Sequence, residues 1–172
     1  SIANYWFQKT EHIVQNHLTG ISLEEVLSKD EAEMLAGRAI VVKKLRPLAI
    51  EAVVRGYLIG SGWKEYLSSG TVCGIPLPPN MKLAQQLLKP LYTPSSKAGV
   101  GEHDANISFK ETEAIVGSAL ASQIKDVSLK IYQFAAKHAL SCGIIVADTK
   151  FEFGLDGDNQ LTLMDEVLTP DS

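Results

Sequence analysis

Several features that would assign a sequence to a common class are missing from this one. It contains only two cysteines, Cys73 and Cys142, and neither stands in a C-x-x-C or Cys/His spacing typical of a metal site. No apolar run approaches the ~20 residues that a membrane-spanning helix needs, and no signal-peptide pattern opens the chain. We therefore expect two reduced thiols in a cytoplasmic protein that has no membrane partner.

An excess of positive charge is also absent. The chain has 16 Lys and Arg residues against 20 Asp and Glu residues, which gives a net charge of −4 at neutral pH. A general nucleic-acid binder is usually basic, so we expect no nucleic-acid partner. A small anionic ligand remains compatible with this charge, because a local cluster of basic side chains can oppose the net sign.

The pattern of apolar residues predicts strands, a long loop, helices and a hairpin, in that order. Residues 38–45 and 48–57 are apolar and rich in β-branched side chains, which favours strands. Residues 70–101 are rich in proline and glycine and are predicted as one long loop of the kind that often forms a lid. The predicted helices cover residues 2–9, 22–27, 30–36, 60–69, 109–116 and 119–140. This order predicts an α+β fold rather than a regular series of β-α-β units.

The end of the chain holds the most informative pattern. Two apolar runs, at 144–154 and 163–167, flank the polar residues 156–160. Such an arrangement is typical of a β-hairpin with a polar turn. The hairpin would close the α+β fold after the long helix.

Charged residues interrupt the apolar strands of this hairpin. Asp148, Lys150 and Glu152 are two residues apart, so their side chains point to one face of the first strand, and Asp165 on the return strand can join them. Carboxylates hold a hard cation through oxygen, and an ammonium neutralises phosphate. The pattern therefore indicates a site for phosphate and magnesium, although an ordinary half-exposed hairpin would show the same alternation.

Arg55 and Ser61 are the best candidates for a second anion site. An arginine offers paired donors to phosphate. Ser61 lies in a glycine-flanked turn that opens a helix, where free N–H groups attract anions. The plainer alternative is an arginine in an ion pair and a serine that only caps the helix. Glu51 shares a strand face with Arg55, and it would either orient Arg55 or contact the substrate.

Four segments in this order resemble the phosphoribosylaminoimidazole-succinocarboxamide synthase family, the SAICAR synthetases. They are the E-x-x-x-R-x-x-x-x-G-S element from Glu51, residues 92–98, the G-E-H-D element from Gly101, and the D-x-K-x-E-F-G element from Asp148 with residues 165–171. The resemblance covers most of the chain and implies an ATP-grasp-like fold of the α+β class. It also implies a fragment that lacks the N-terminal and C-terminal parts of the family.

The resemblance implies an ATP-dependent ligase of de novo purine biosynthesis that requires Mg²⁺. Such an enzyme joins the carboxylate of carboxyaminoimidazole ribonucleotide (CAIR) to the amine of L-aspartate, and it produces SAICAR, ADP and phosphate. The expected route is an acyl phosphate on CAIR, because phosphorylation gives a poor electrophile a leaving group. The alternatives are a phosphotransferase with another acceptor and a non-catalytic nucleotide-binding domain. An oligomer is compatible with the sequence but is not predicted by it.

The resemblance also assigns roles to individual residues. The residues implied in catalysis are Asp104, Lys97 and Lys150. The implied contacts to CAIR and aspartate are Glu51, Arg55, Ser61, Lys97 and Asp104. The implied contacts to ATP are Lys44, Lys150, Glu152 and Asp165, of which Glu152 and Asp165 are the magnesium ligands. Residues 1–45 would be the remainder of an N-terminal lobe, and residues 46–172 would be the lobe with the substrate and metal site, joined through a hinge at 43–47.

Overall fold

The computed structural model describes residues 1–97 and 105–172, and its helices and strands form the predicted α+β architecture. The strands are β1 (Arg46–Pro47), β2 (Ile50–Tyr57), β3 (Thr71–Val72), β4 (Ile75–Pro76), β5 (Gln86–Tyr92), β6 (Ser95–Ser96), β7 (Ala105–Asn106), β8 (Asp148–Leu155) and β9 (Leu161–Met164). The helices are α1 (Ile2–Thr10), α2 (Lys29–Leu35), α3 (Gly60–Ser69), α4 (Phe109–Val116) and α5 (Ser118–Ser141), with a 3₁₀ turn at Leu23–Glu25.

Strand β2 lies at the centre of the main sheet. It pairs antiparallel with β8 on one side and with β5 and β6 on the other, while β1 and β9 both pair with β8. The register sets Arg55 opposite Asp148 and Glu51 opposite Ser95. Since paired residues share a face of the sheet, these polar side chains are brought to one side.

The opposite face of the sheet packs against the helices. Alternate residues of β2 and β8 join one apolar cluster with α1 and α5, and this cluster includes Trp6, Phe7, Ile50, Ala52, Val54, Ile124, Ile131, Tyr132, Ala135, Phe151 and Phe153. The alternation arises because successive side chains of a strand point to opposite faces. The core therefore fixes one face of β2 and β8 and leaves the other face free for polar groups.

Two sequence-based predictions are wrong. Residues 38–45 do not form a strand, since Val42 makes only an isolated bridge with Leu18. β-Branched residues favour strands when they pack on a sheet, and here Val42 is 41% exposed. Residues 70–101 are not one long loop, because they contain the β3–β4 hairpin and strands β5 and β6. β5 accommodates Pro90 because proline is tolerated where one strand edge is unpaired, and β5 pairs with β2 alone within the described residues.

The helix predictions after residue 100 are confirmed. Helix α4 has the predicted bounds, Phe109–Val116, and begins at a capping box. The Ser108 hydroxyl accepts from the Glu111 amide at 3.2 Å, and the Glu111 carboxylate accepts from the Ser108 amide at 2.7 Å. This exchange satisfies two amide groups that the first helical turn leaves without partners.

None of the helices in the described part of the chain is long and apolar enough to cross a membrane.

Residues before the proposed hinge also contribute to the core. Trp6, Phe7 and Val14 belong to the same buried cluster as β2 and β8. The His17 amide donates to the Leu163 carbonyl on β9 at 3.0 Å. The division into lobes at residues 45 and 46 stays a prediction.

Cys73 and Cys142 are both free, and burial raises the pKa of the Cys73 thiol to about 12.

His17 is a buried titratable group on this side of the molecule. It is 7% exposed, and its ring centroid lies 4.8 Å from that of Phe7. Its Nε2 atom has no hydrogen-bond partner among the described residues. Burial lowers the pKa of His17, and the negative charge of Asp165 offsets part of that effect.

The stability of the protein should therefore fall as the pH drops from 7.5 to 5.5. The unfolded chain binds a proton at His17 near its ordinary pKa of about 6.5, while the folded chain resists it, so unfolding is favoured below that pH. Urea unfolding of the wild type, His17→Gln and His12→Gln at both pH values measures this effect. We expect the pH dependence to shrink in His17→Gln and to persist when the exposed His12 is replaced. Equal pH dependence in all three proteins would contradict the assignment to His17.

Candidate active site

Charged side chains line the sheet face that is turned away from the core. They are Glu51, Arg55, Lys97, Asp148, Lys150 and Glu152. Strand alternation places the residues of β2 and β8 on this face, as predicted for Asp148, Lys150 and Glu152. Each cation among the six contacts one carboxylate of the group.

Arg55 is buried, and several groups hold its guanidinium. Its Nε donates to Thr93 Oγ1 at 3.0 Å, its Nη2 to Ser61 Oγ at 2.9 Å and its Nη1 to Asp148 Oδ2 at 3.3 Å. The Ile59 carbonyl accepts a longer bond of 3.5 Å from Nη1. Charge-assisted bonds of this kind are stronger and more directional than neutral ones. The guanidinium is therefore fixed in orientation rather than free to follow a ligand.

The first turn of α3 lies directly against this guanidinium. A Cβ atom at Gly62 would lie 3.0 Å from Arg55 Nε, so glycine permits the close approach. The N-cap residue Ile59 makes no side-chain capping bond. The N–H groups of a first turn without such a cap, together with the helix dipole, favour an anion at this end. The side chains of Ser61 and Arg55 thus meet at the N-terminal end of α3, as the anion-site prediction requires.

A pocket of about 250 Å³ connects this anchor to β8. Its walls are formed by Val53, Arg55, Gly60, Ser61, Asp148, Thr149, Lys150 and Ser172. Three larger pockets among the described residues, of about 340, 490 and 590 Å³, are lined mostly by apolar side chains and contain neither Arg55 nor Lys150. The small polar pocket is the better match for an anionic ligand, because its walls supply the donors that such a ligand needs.

Two further ion pairs extend the charged face along β8. Lys150 Nζ donates to Glu51 Oε1 at 2.7 Å, and Glu51 also accepts from Ser95 Oγ at 3.2 Å. Lys97 Nζ donates to Glu152 Oε2 at 2.5 Å. Glu51 is buried, so the lysine and the serine hydroxyl together offset the cost of its desolvation.

Salt bridges pair the described cations and carboxylates of this face. Among the described residues, the three cations of the network contact three carboxylates. A phosphate that bound here would compete with these carboxylates for the three cations.

Comparison with known proteins assigns the chain to a family. The sequence profile of the SAICAR synthetase family matches residues 1–172. The chain belongs to this family. Phosphoribosylaminoimidazole-succinocarboxamide synthase from Cupriavidus taiwanensis is 59% identical over 171 residues, and that from Chromobacterium violaceum is 56% identical over 172 residues. The family resemblance expected from the sequence is confirmed.

Solved SAICAR synthetase structures share the fold. The SAICAR-synthase from Saccharomyces cerevisiae complexed with SAICAR matches 99% of this chain with a TM-score of 0.88 and 36% identity. A SAICAR synthetase in complex with ADP has a TM-score of 0.74 at 24% identity, which shows the fold alone. This chain spans 57% and 61% of the two bacterial relatives and 58% of the yeast protein. The chain thus spans somewhat more than half of each relative's length.

The two expected magnesium ligands of this SAICAR synthetase chain lie on β8 and directly after β9. Glu152 pairs with Met164, and Asp165 is the next residue. The expectation that Asp165 lies on the return strand is wrong, because β9 ends at Met164 and Asp165 follows it as an exposed residue with a left-handed backbone (φ of 65°). Paired residues of antiparallel strands lie about 4.5–5.5 Å apart, which places Met164 beside Glu152 and Asp165 one residue further along the chain.

This donor set fits a magnesium ion that is completed by a nucleotide. Among residues 1–97 and 105–172, no group of three or more His, Cys, Asp or Glu side chains could hold a metal ion. Mg²⁺ is commonly held by one or two carboxylates together with substrate phosphates and water. Glu152 and Asp165 supply that number, and the ligand assignment stays a prediction.

The structure does not bring every expected residue into the charged face. Lys44 is exposed on the segment before β1, and β1 pairs with the far end of β8, at Leu155. Asp104 lies outside the described residues. Their assigned roles in ATP binding and in catalysis stay predictions.

Sequence reasoning missed two hydroxyl groups of this site, those of Thr93 and Ser95. Both lie in the stretch that was predicted as a loop, and they contact Arg55 and Glu51 respectively. Thr93 and Ser95 are two residues apart and follow the apolar residues Leu91 and Tyr92. This spacing could have revealed them, because it places both hydroxyls on one face of an extended chain.

Proposed function

We propose that this chain carries the substrate and nucleotide site of an ATP-dependent carbon–nitrogen ligase in purine biosynthesis. The reaction joins CAIR to L-aspartate and yields SAICAR, ADP and phosphate. The yeast relative complexed with SAICAR, at 36% identity over 99% of this chain, supports the same nucleotide here. Membership of the SAICAR synthetase family supports the reaction class.

One observation carries the proposal, namely a fixed phosphate anchor beside a cluster of lysines and carboxylates. Arg55 and Ser61 form the anchor, and Lys150 lines the same pocket. Glu152 follows Lys150 on the same strand face. A protein that bound only ATP would need one such region, whereas a ligase that activates a phosphorylated acceptor needs two.

The residues assigned to the site then take distinct roles. Arg55 and Ser61 bind the 5′-phosphate of CAIR, while Lys150 neutralises ATP phosphates and is oriented by Glu51. Glu152 and Asp165 would hold Mg²⁺, which would neutralise charge on the nucleotide phosphates. Lys97 and Asp104 contact CAIR or aspartate, a role that the resemblance assigns.

The chemistry follows from bringing the substrates together on this face. An oxygen of the CAIR carboxylate attacks the γ-phosphorus of ATP, so a P–O bond forms and ADP leaves. The aspartate amine then attacks the acyl carbon of the resulting acyl phosphate, phosphate leaves, and the nitrogen loses a proton. Catalysis by the protein consists of positioning and of neutralising charge on the phosphates.

The Lys97–Glu152 pair bears on cation binding, because an ammonium on this carboxylate competes with a metal ion. Replacing Lys97 with Met should strengthen Mn²⁺ binding to the nucleotide-free protein by about two- to fivefold, the range of a partly exposed ion pair. Electron paramagnetic resonance of free Mn²⁺ measures this affinity. Lys110→Met, on the exposed surface of α4, serves as the control and should leave it unchanged. Unaltered Mn²⁺ affinity in Lys97→Met would contradict cation binding at Glu152.

Transfer of an oxygen atom from the CAIR carboxylate to the released phosphate tests the proposed function. The full natural polypeptide that contains this chain is supplied with CAIR carrying ¹⁸O in its carboxylate, together with ATP, Mg²⁺ and L-aspartate. We expect the released phosphate to contain one ¹⁸O atom for each SAICAR formed. If SAICAR forms but the released phosphate is unlabelled, the ligase assignment stands and the acyl phosphate intermediate is contradicted. Absence of SAICAR would overturn the ligase.

A further inference from the structure

Thr93 is fully buried beside the phosphate anchor. Its backbone amide donates to the Val53 carbonyl at 2.8 Å, and this bond holds Thr93 beside β2. Its Oγ1 atom accepts from Arg55 Nε at 3.0 Å. The same hydroxyl lies 3.5 Å from the Val53 carbonyl, to which it donates its own hydrogen. The hydroxyl thus has one acceptor and one donor partner, and both lie on β2.

The contact with Nε matters because it sets the orientation of the whole guanidinium. The guanidinium is planar and carries five N–H donors in a rigid fork. Bonds to Thr93, Asp148 and Ser61 hold three different nitrogens. The Nε bond is the one nearest the side-chain stem, so it fixes the rotation of the plane. The Nη atoms are thereby aimed at the pocket that Ser61 lines.

We propose that Thr93 is a positioning residue that selects the phosphorylated substrate through Arg55. The inference rests on the proposed function of Arg55 as the anchor for the CAIR phosphate. Thr93 is fully buried and is not among the described residues that line the pocket, so its effect on a ligand passes through the guanidinium. A residue that acts in this way affects the binding of one substrate and leaves the others nearly unchanged.

Kinetics of three variants test this role in the full natural polypeptide. Thr93→Val keeps the shape and the backbone bond but removes the acceptor, and we expect the KM for CAIR to rise about five- to twentyfold. The KM values for ATP and aspartate should stay within about twofold. Thr93→Ser keeps the hydroxyl and should restore the KM for CAIR. Thr112→Val, a buried threonine of α4 bonded to the Ser108 carbonyl, is the matched control and should leave all three KM values unchanged.

Two outcomes would overturn the positioning role. One is an equal rise in all three KM values in Thr93→Val, which indicates a general structural defect. The other is failure of Thr93→Ser to restore the KM for CAIR.

A measurement without turnover separates this inference from the proposed function. Titration with ribose 5-phosphate, followed by the ¹⁵N NMR signal of the Arg55 Nε–H group, reports the anchor directly. We expect slow hydrogen exchange of this N–H in the wild type, faster exchange in Thr93→Val, and weaker binding of ribose 5-phosphate in that variant. Exchange and binding that match the wild type would overturn the inference even if the ligase activity is found. If the activity is absent and these effects remain, only the substrate assignment fails.

Discussion

Replacing Arg55 with Ala should lower kcat/KM for CAIR by about 10²–10³-fold, since truncating one partner of a buried, hydrogen-bonded charge pair costs about 2–5 kcal/mol. The change removes the donors that we assign to the CAIR phosphate, and it leaves Asp148 without its guanidinium partner. Dependence of the rate on ATP concentration should change little. Steady-state kinetics with each substrate varied in turn measures both effects.

Two further arginine variants sharpen this test. Arg55→Lys keeps the charge but loses the planar fork, so we expect an intermediate loss. Arg38→Ala removes an exposed arginine that follows α2 and should behave like the wild type. A loss in Arg55→Ala that is equal for CAIR and for ATP would contradict the assignment of Arg55 to the CAIR phosphate.

Replacing Gly56 with Ala should destabilise the protein by about 3 kcal/mol, because the change overpacks the core and disturbs a buried hydrogen bond. A Cβ atom at this position would lie 1.8 Å from the Tyr132 hydroxyl oxygen and 2.8 Å from Cζ. Tyr132 is buried, and its hydroxyl donates to the Val146 carbonyl at 2.7 Å. Urea unfolding measures the change in the free energy of unfolding.

A matched glycine and a second-site change test the stated cause. Gly157 has no atom within 4 Å of a Cβ position, so Gly157→Ala should alter stability by less than about 1 kcal/mol. Tyr132→Phe removes the atom nearest to the new methyl group. The double variant Gly56→Ala/Tyr132→Phe should therefore be less destabilised than the sum of the single changes. Additive effects would show that the clash with Tyr132 is not the cause.

Short sequence patterns predicted the structural elements that depend on interactions between residues close together in the sequence. The capping box of Ser108 and Glu111 gave the bounds of α4, because the groups involved are three residues apart. The alternation of Asp148, Lys150 and Glu152 gave their common face, because strand geometry has a period of two. Strand β5 was missed because Pro90 reads as a loop residue unless the free edge of the strand is known.

The partners within the site could not be predicted, because strand register determines them. Thr93 meets Arg55 across 38 residues of sequence, and Lys97 meets Glu152 across 55. These contacts depend on which residues of neighbouring strands lie opposite each other, and a shift of one residue would reverse every face. The positive φ of Asp165 is likewise a feature of the folded hairpin rather than of the sequence pattern.

The most direct test of the central claim is ADP release by the full natural polypeptide that contains this chain. ATP, Mg²⁺, CAIR and L-aspartate are supplied together, and each is then omitted in turn. The proposed ligase requires that sustained ADP release depends on both CAIR and aspartate, since each turnover consumes one molecule of each. Sustained release at an undiminished rate without CAIR or without aspartate would contradict it and would leave only a nucleotide site on this face.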